Sequence, residues 1–174
     1  MRTKLSLEQL NALAPTEFHK IFENVVECWP EAAIFCSAML PFKSFDAMIL
    51  MFENYLQKLN NDNKLRILRL HPDLAGKLLD THELTDESSF EQSSVGLDKL
   101  SQEDKEKLTA LNEEYRHKFG FPFVICVREA SKFEAILNGF LDRINNRPEV
   151  ELEIGIGEVK KICRLRILEL VNQL

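Results

Sequence analysis

The residues best suited to chemistry begin with His71, in the run His71-Pro72-Asp73-Leu74-Ala75-Gly76-Lys77. Proline disfavours the α region for the residue before it, so the helical pattern of Leu65–Leu70 should stop at His71. An imidazole at a helix end, followed by the loop residues Asp73 and Gly76, is expected to stay partly wet and to titrate near neutrality. The segment alone also reads as a capping or surface histidine. A second group is Ser88-Ser89-Phe90-Glu91-Gln92. If this turn is helical, Ser88 shares a face with Glu91 and Gln92 at i+3 and i+4. Hydroxyl, carboxylate and amide together suit a ring carrying amide groups; a solvated polar helix start is the alternative. The third is Arg166. Projected at about 100° per residue, the last helix puts Lys160, Lys161 and Arg164 on one side with Val171, and Val159, Ile162 and Leu170 on the other. Arg166 falls among the apolar residues, where an unpaired charge costs several kcal/mol. Three readings stay open: an internal salt bridge, snorkelling at a helix end, or a cation lining a pocket for an anion.

Helices must position these groups, because nearly every segment has a helical period. Thr16 is placed to cap a helix with the stripe Phe18, Ile21, Phe22 and Val25. Ser44 is placed to cap a second, with Phe45, Met48, Ile49, Phe52 and Leu56 on one side. Ser101 and Asp104 suggest a capping box before Leu108, Leu111, Tyr115 and Phe119, and Gly120 with Pro122 stops that helix. Ser131 is taken to start the next, with Phe133, Ile136, Leu137 and Phe140. Gly157 is taken to precede the last, from about Glu158 onward. These stripes read as core. Only Phe121–Val127 looks extended, and a lone strand has no partner, so it is expected to be an extended loop crossing the core. Gly155-x-Gly157 lacks the third glycine and the strand–turn–helix setting of a dinucleotide fingerprint, and no phosphate loop or nucleophile elbow occurs.

At 174 residues the chain suits one compact multi-helix domain over residues 1–174, in the all-α class. Twelve Phe against two Tyr and one Trp point to a core of plain hydrophobes. A net charge of −6 argues against a nucleic-acid partner, which needs clustered Lys and Arg, but a small anion needs only one local cation. Lys160, Lys161 and Arg164 are too few for a polybasic membrane patch, and the apolar run from Ala32 to Phe42 is too short to cross a bilayer. Met1-Arg2-Thr3-Lys4-Leu5 leads into a polar helix pattern without a signal-peptide core, so secretion is not expected. Cys28, Cys36, Cys126 and Cys163 read as small core residues. They share no ligand spacing with His19, His71, His82 or His117, so no metal site is expected.

Four stretches together resemble the 2-oxo-4-hydroxy-4-carboxy-5-ureidoimidazoline (OHCU) decarboxylase family, which acts last on the uricase route from urate to allantoin. They are Arg69-Leu70-His71-Pro72-Asp73-Leu74-Ala75-Gly76; Ser88-x-x-Glu91-Gln92-x-x-x-Gly96-Leu97; Leu111-Asn112-x-x-Tyr115-x-x-x-Phe119-Gly120-Phe121-Pro122-Phe123-Val124; and Gly157-Glu158-Val159-Lys160-Lys161-Ile162-x-x-Leu165-Arg166. The resemblance implies an all-α fold, often a homodimer, working without cofactor or metal. It makes His71 the proton donor, with Glu91 and Arg166 as the other polar active-site residues. Pro72, Ser88, Ser89, Phe90, Glu91 and Gln92, and the main chain of Phe123, Val124, Ile125, Cys126 and Val127, match substrate-contacting positions. Family members often carry Trp-Ser-x-Arg-Pro-Phe near the start. Here the stretch Phe35-Cys36-Ser37-Ala38-Met39-Leu40-Pro41-Phe42 lacks the arginine. A cytoplasmic or peroxisomal place is expected; the end Asn172-Gln173-Leu174 keeps only the last residue of the peroxisomal tripeptide.

The implied substrate carries its carboxylate beside a ring carbonyl. Loss of carbon dioxide leaves a carbanion that this carbonyl delocalises as an enolate. Arg166 would hold the anion, Ser88, Gln92 and the Phe123–Val127 main chain the amide edges, and His71 would return the proton to one face. Glu91 would bond the substrate or orient His71. Two rivals remain: a helical binding module without chemistry, using its amphipathic faces as a groove, and an inactive relative that keeps only the fold.

Overall fold

The structure, a computed structural model, describes residues 4–76 and 83–172. Met1, Arg2, Thr3, Lys77, His82 and the end residues Gln173 and Leu174 lie outside the described residues. Helices α1 (Leu7–Asn11), α2 (Pro15–Phe22), α3 (Glu31–Ser37), α4 (Phe45–Lys58) and α5 (Asn61–Leu70) come first. Then follow α6 (Asp86–Ser94), a 3-10 turn (Leu97–Lys99), α7 (Gln102–Phe119), α8 (Val127–Ala130), α9 (Phe133–Arg143) and α10 (Pro148–Leu170). No strand occurs among the described residues beyond an isolated bridge between Leu5 and Val171, so the fold is all-α. None of the described helices is long and apolar enough to cross a membrane.

The contacts divide the chain into two compact units. One runs to Ile67 and resumes at Val159; the other is Leu68–Glu158. In the first, α2 packs on α3 and α3 on α4. Phe18 lies 4.5 Å from Phe22 and 6.5 Å from Phe52, ring centre to ring centre. Apolar burial of this kind supplies most of the stabilisation. In the second, Tyr115 is the hub, with Phe119 at 4.5 Å, Phe123 at 5.2 Å and Phe140 at 5.9 Å.

Several caps lie where the sequence puts them. Ser44 Oγ accepts from Ala47 N–H at 3.1 Å and Ser101 Oγ from Asp104 N–H at 3.1 Å, bonds worth about 1 kcal/mol each. Gly120, at φ +75°, closes α7 in the left-handed region.

Three helix starts differ from expectation. Thr16 is not the cap of α2: the helix begins at Pro15, whose fixed φ suits a first turn, and Ala14 N–H donates to the Glu17 carboxylate at 2.9 Å. Ser131 does not start α9. At φ +56° it ends α8, its N–H reaching Val127 O at 2.7 Å, and Lys132 precedes α9. Nor does Gly157 precede the last helix, since α10 starts at Pro148 and runs through both Gly155 and Gly157. A Cβ on Gly155 would stand 2.9 Å from Leu68 Cδ1, so that glycine serves close packing inside a helix. The stretch from Phe121 to Cys126 is neither helix nor strand, so the expected loop is present, while Val127 already belongs to α8. Cys28 is exposed and not a core residue; Cys36, Cys126 and Cys163 are buried.

Candidate functional site

The loop after α5 is built by side chains from two other helices. Gln92 of α6 accepts from Ala75 N–H through Oε1 at 2.9 Å and donates to Asp73 O through Nε2 at 3.3 Å. Asn112 of α7 donates through Nδ2 to Leu74 O at 3.0 Å. Outside, Arg116 Nε donates to Asp73 Oδ1 at 2.8 Å. Ala75 sits at φ +48°, a left-handed conformation that costs a β-carbon residue about 1–3 kcal/mol; these bonds offset it. At Gly76 a Cβ would meet Asp73 Cβ at 2.9 Å, so the turn needs glycine. His71 ends α5 as Pro72 requires. It is buried, at 6% exposure, where a partly wet ring was expected. A cleft of about 930 Å³ opens beside the loop, its wall including His71, Pro72, Asp73, Asn112 and Arg116.

Helix α6 turns only part of its expected segment inward. Thr85 Oγ1 accepts from Ser88 N–H at 3.2 Å and starts the helix. Ser88, Glu91 and Gln92 are buried, as the i, i+3, i+4 spacing requires. Ser89 is half-buried, and Phe90 is 56% exposed with the Arg128 guanidinium 5.9 Å from its ring centre. The last two therefore face away from the Ser88–Glu91–Gln92 side.

Alongside α6 packs α8, which brings the loop 121–126 to the same region. Its main chain is held by two charged side chains. Arg143 Nη1 donates to Val124 O at 2.8 Å, and Glu158 Oε2 accepts from Cys126 N–H at 2.8 Å. No described residue accepts from the N–H groups of Ile125 and Val127. Phe123, Val124, Cys126 and Val127 are buried, and Ile125 is half-buried. The Cys126 thiol is pushed up to about 11, by burial first and then by the charges of Glu129, Glu158 and Glu91, against a backbone bond at Glu129 that lowers it. Glu91 is thus close enough to be felt at this segment.

Behind this segment lies a buried polar cluster that the sequence reading missed. Glu151, fully buried, accepts from Arg143 Nε at 2.7 Å, from Asn146 Nδ2 at 2.9 Å and from the Tyr115 hydroxyl. Such saturation is what a buried carboxylate requires. Burial and the bond to Glu151 hold the Tyr115 hydroxyl protonated well beyond the ordinary tyrosine range. A signal existed for Arg143: it stands i+3 from Phe140 and i+7 from Ile136, a charge in an apolar stripe, as at Arg166.

Arg166 belongs to the other unit, at 2% exposure. Its Nη1 donates to Glu27 Oε2 at 2.7 Å and to Asn24 O at 2.8 Å. Of the three readings left open, the internal salt bridge is therefore present, and snorkelling is excluded by burial.

Residues 11–168 match the model of a protein family described as OHCU decarboxylase. The chain is 40% identical over 166 residues to the 2-oxo-4-hydroxy-4-carboxy-5-ureidoimidazoline decarboxylase of Xenopus laevis, covering 95% of this chain and 94% of that one. To the protein of the same name from Amia calva it is 37% identical over 168 residues, 97% and 95% of the two chains. Among solved structures, a crystal structure of (S)-allantoin synthase shares the fold. Its TM-score is 0.73 at 21% identity, over 96% of this chain and 54% of that one. A crystal structure of an OHCU decarboxylase in the presence of (S)-allantoin gives 0.62 at 27% identity, over 80% and 89%.

Proposed function

The chain belongs to the OHCU decarboxylase family, and from that premise we propose that it decarboxylates OHCU to (S)-allantoin with His71 as proton donor. The observation that carries the proposal is the Gln92–Ala75 bond of 2.9 Å. It ties the α6 face bearing Ser88 and Glu91 to the loop that begins with buried His71. Positioning of this kind is what a proton transfer to one face needs.

In the mechanism, the C4 carboxylate leaves as carbon dioxide, its bonding electron pair forms a C4–C5 double bond, and the C5=N pair moves onto the ring nitrogen; the ring carbonyl expected to hold the pair is C2, which N3 separates from C4. That nitrogen takes the proton of the 4-hydroxyl, and the resulting enolate collapses to the C4 carbonyl as His71 delivers a proton to C5, the ureido-bearing carbon, from a fixed side. Electrons are stored in the substrate's own conjugated ring throughout. General-acid help of this type contributes about 10²–10⁴-fold. Arg166 recognises the anion through charge-assisted hydrogen bonds. Glu91 bonds a substrate hydroxyl or N–H, or orients His71. Ser88, Gln92 and Pro72, with the main chain of Phe123–Val127, above all the N–H groups of Ile125 and Val127, take the ureido and ring amide edges. Ser89 and Phe90 contribute through their main chain only, given where their side chains point. The proposal treats residues 1–174 as one functional domain. It works as a homodimer in the cytoplasm or peroxisome, a finer part that rests on the family resemblance; sedimentation of the full chain at a monomer's mass overturns the dimer.

Freshly generated OHCU, followed by circular dichroism, tests the reaction. The wild-type protein should yield optically active (S)-allantoin. A folded His71→Ala variant should give racemate at the uncatalysed rate, and full stereocontrol in that variant refutes the role given to His71.

A further inference from the structure

We infer that Asn112 is a positioning residue for His71, acting through the carbonyl of Leu74; the inference rests on the decarboxylase reading above. Asn112 stands in the apolar stripe of α7, four residues after Leu108 and three before Tyr115, and is 5% exposed. Packing alone would be served there by leucine. Instead an amide occupies the position. Its Nδ2 bonds Leu74 O at 3.0 Å, while its Oδ1 is buried with no acceptor role toward any described residue. Buried polar atoms left over in this way are uncommon and cluster where function overrides packing.

The loop explains what the amide does. Gln92 holds the main chain of Asp73 and Ala75 from α6; Asn112 holds the carbonyl between them from α7. The two amides grip three successive residues from two helices, across a left-handed Ala75 at φ +48°. Between the gripped carbonyl and His71 lie only Asp73 and Pro72, and the proline's fixed φ makes that link stiff. A displacement at Leu74 is therefore passed to the imidazole rather than absorbed.

Asn112→Leu keeps the packing and removes the donor; Asn112→Asp keeps the volume and turns an acceptor toward an acceptor. Both are assayed with freshly generated OHCU beside the wild type, with folding checked by far-ultraviolet circular dichroism. The expected result is kcat lower by about 10- to 100-fold with KM changed by less than about threefold. The enantiomeric excess of allantoin should fall and the pH profile of kcat should move, readouts that a purely structural role would leave alone. Wild-type kcat and enantiomeric excess in either folded variant overturn the inference. Failure of both variants to fold also overturns it, by making Asn112 structural. Racemate from the wild type at the uncatalysed rate overturns the decarboxylase reading itself, and this inference with it.

Discussion

Arg166 and Glu27 form a pair that is all but excluded from solvent, with 2% and 3% of their side chains exposed. Such a pair gains little over a well-packed apolar pair, whereas breaking it leaves one buried charge uncompensated, at a cost of about 3–5 kcal/mol. Stability alone therefore gives no reason to keep it. A three-variant set follows from that asymmetry. Arg166→Met should lose about 3–5 kcal/mol in urea unfolding, and Glu27→Leu a similar amount. The double variant should regain most of the loss, yet still give no excess of (S)-allantoin, because the cation proposed for the substrate is gone. A double variant with wild-type enantioselectivity would show that Arg166 serves the fold alone. Sequence revealed that Arg166 was out of place on its helix, because periodicity reports the face on which a charge falls. It did not reveal the partner, which lies 139 positions earlier and shares no local pattern with it. His71 shows the same limit: Pro72 made the helix end legible, but not the burial of the ring, which tertiary packing decides and no local pattern announces.

Helix interiors were legible because their apolar periods are strong; helix ends were not, because the same residue types serve either end. Ser131 resembles a helix-starting serine, yet it closes α8 in a left-handed turn. Gly155 and Gly157 resemble a break, yet α10 passes through both. What decides the case of Gly155 is Leu68, against which the helix packs too closely for a side chain. Gly157 has nothing within 4 Å of a would-be Cβ, so no packing demand excuses its weak helix propensity. Gly157→Ala should therefore stabilise the protein by about 0.5–1 kcal/mol, seen as a higher urea midpoint at unchanged slope. Gly155→Ala should not share that gain, since the new methyl forces the Leu68 side chain aside. Were α10 interrupted at Gly157, alanine there would destabilise instead. Arg143 did carry a signal, a charge in the apolar stripe of α9, but its main-chain partner at Val124 did not, and neither did that of Glu158 at Cys126, since no side-chain pattern announces a main-chain atom.

Across the whole chain, buried groups that stay protonated are found in both contact units, which links the stability of the molecule to alkaline pH. Burial pushes the Cys36 thiol up to about 12 and, with nearby carboxylates, the Cys126 thiol up to about 11. Tyr115 is raised as well, by burial and then by its bond to Glu151. In the unfolded chain these groups return to ordinary values, near 9 for thiols and 10 for tyrosine. The native state thus binds more protons than the unfolded state once pH passes about 9, and stability must fall as pH rises where that holds. Their contribution is fully present below pH 9 and is lost progressively toward pH 11–12. Unfolding in urea at fixed pH steps from 8 to 11 should show it, with the midpoint declining from about pH 9 upward. Cys36→Ala with Cys126→Ala should make the first part of that decline shallower, between pH 9 and 10, without abolishing it, because the Cys163 thiol, also raised by burial, remains. Tyr115, whose ordinary value lies higher, should continue the fall in the variant above pH 10. An unchanged slope between pH 9 and 10 in the double variant would mean that these two thiols ionise as readily folded as unfolded, and that neither is sealed from water by the packing around it.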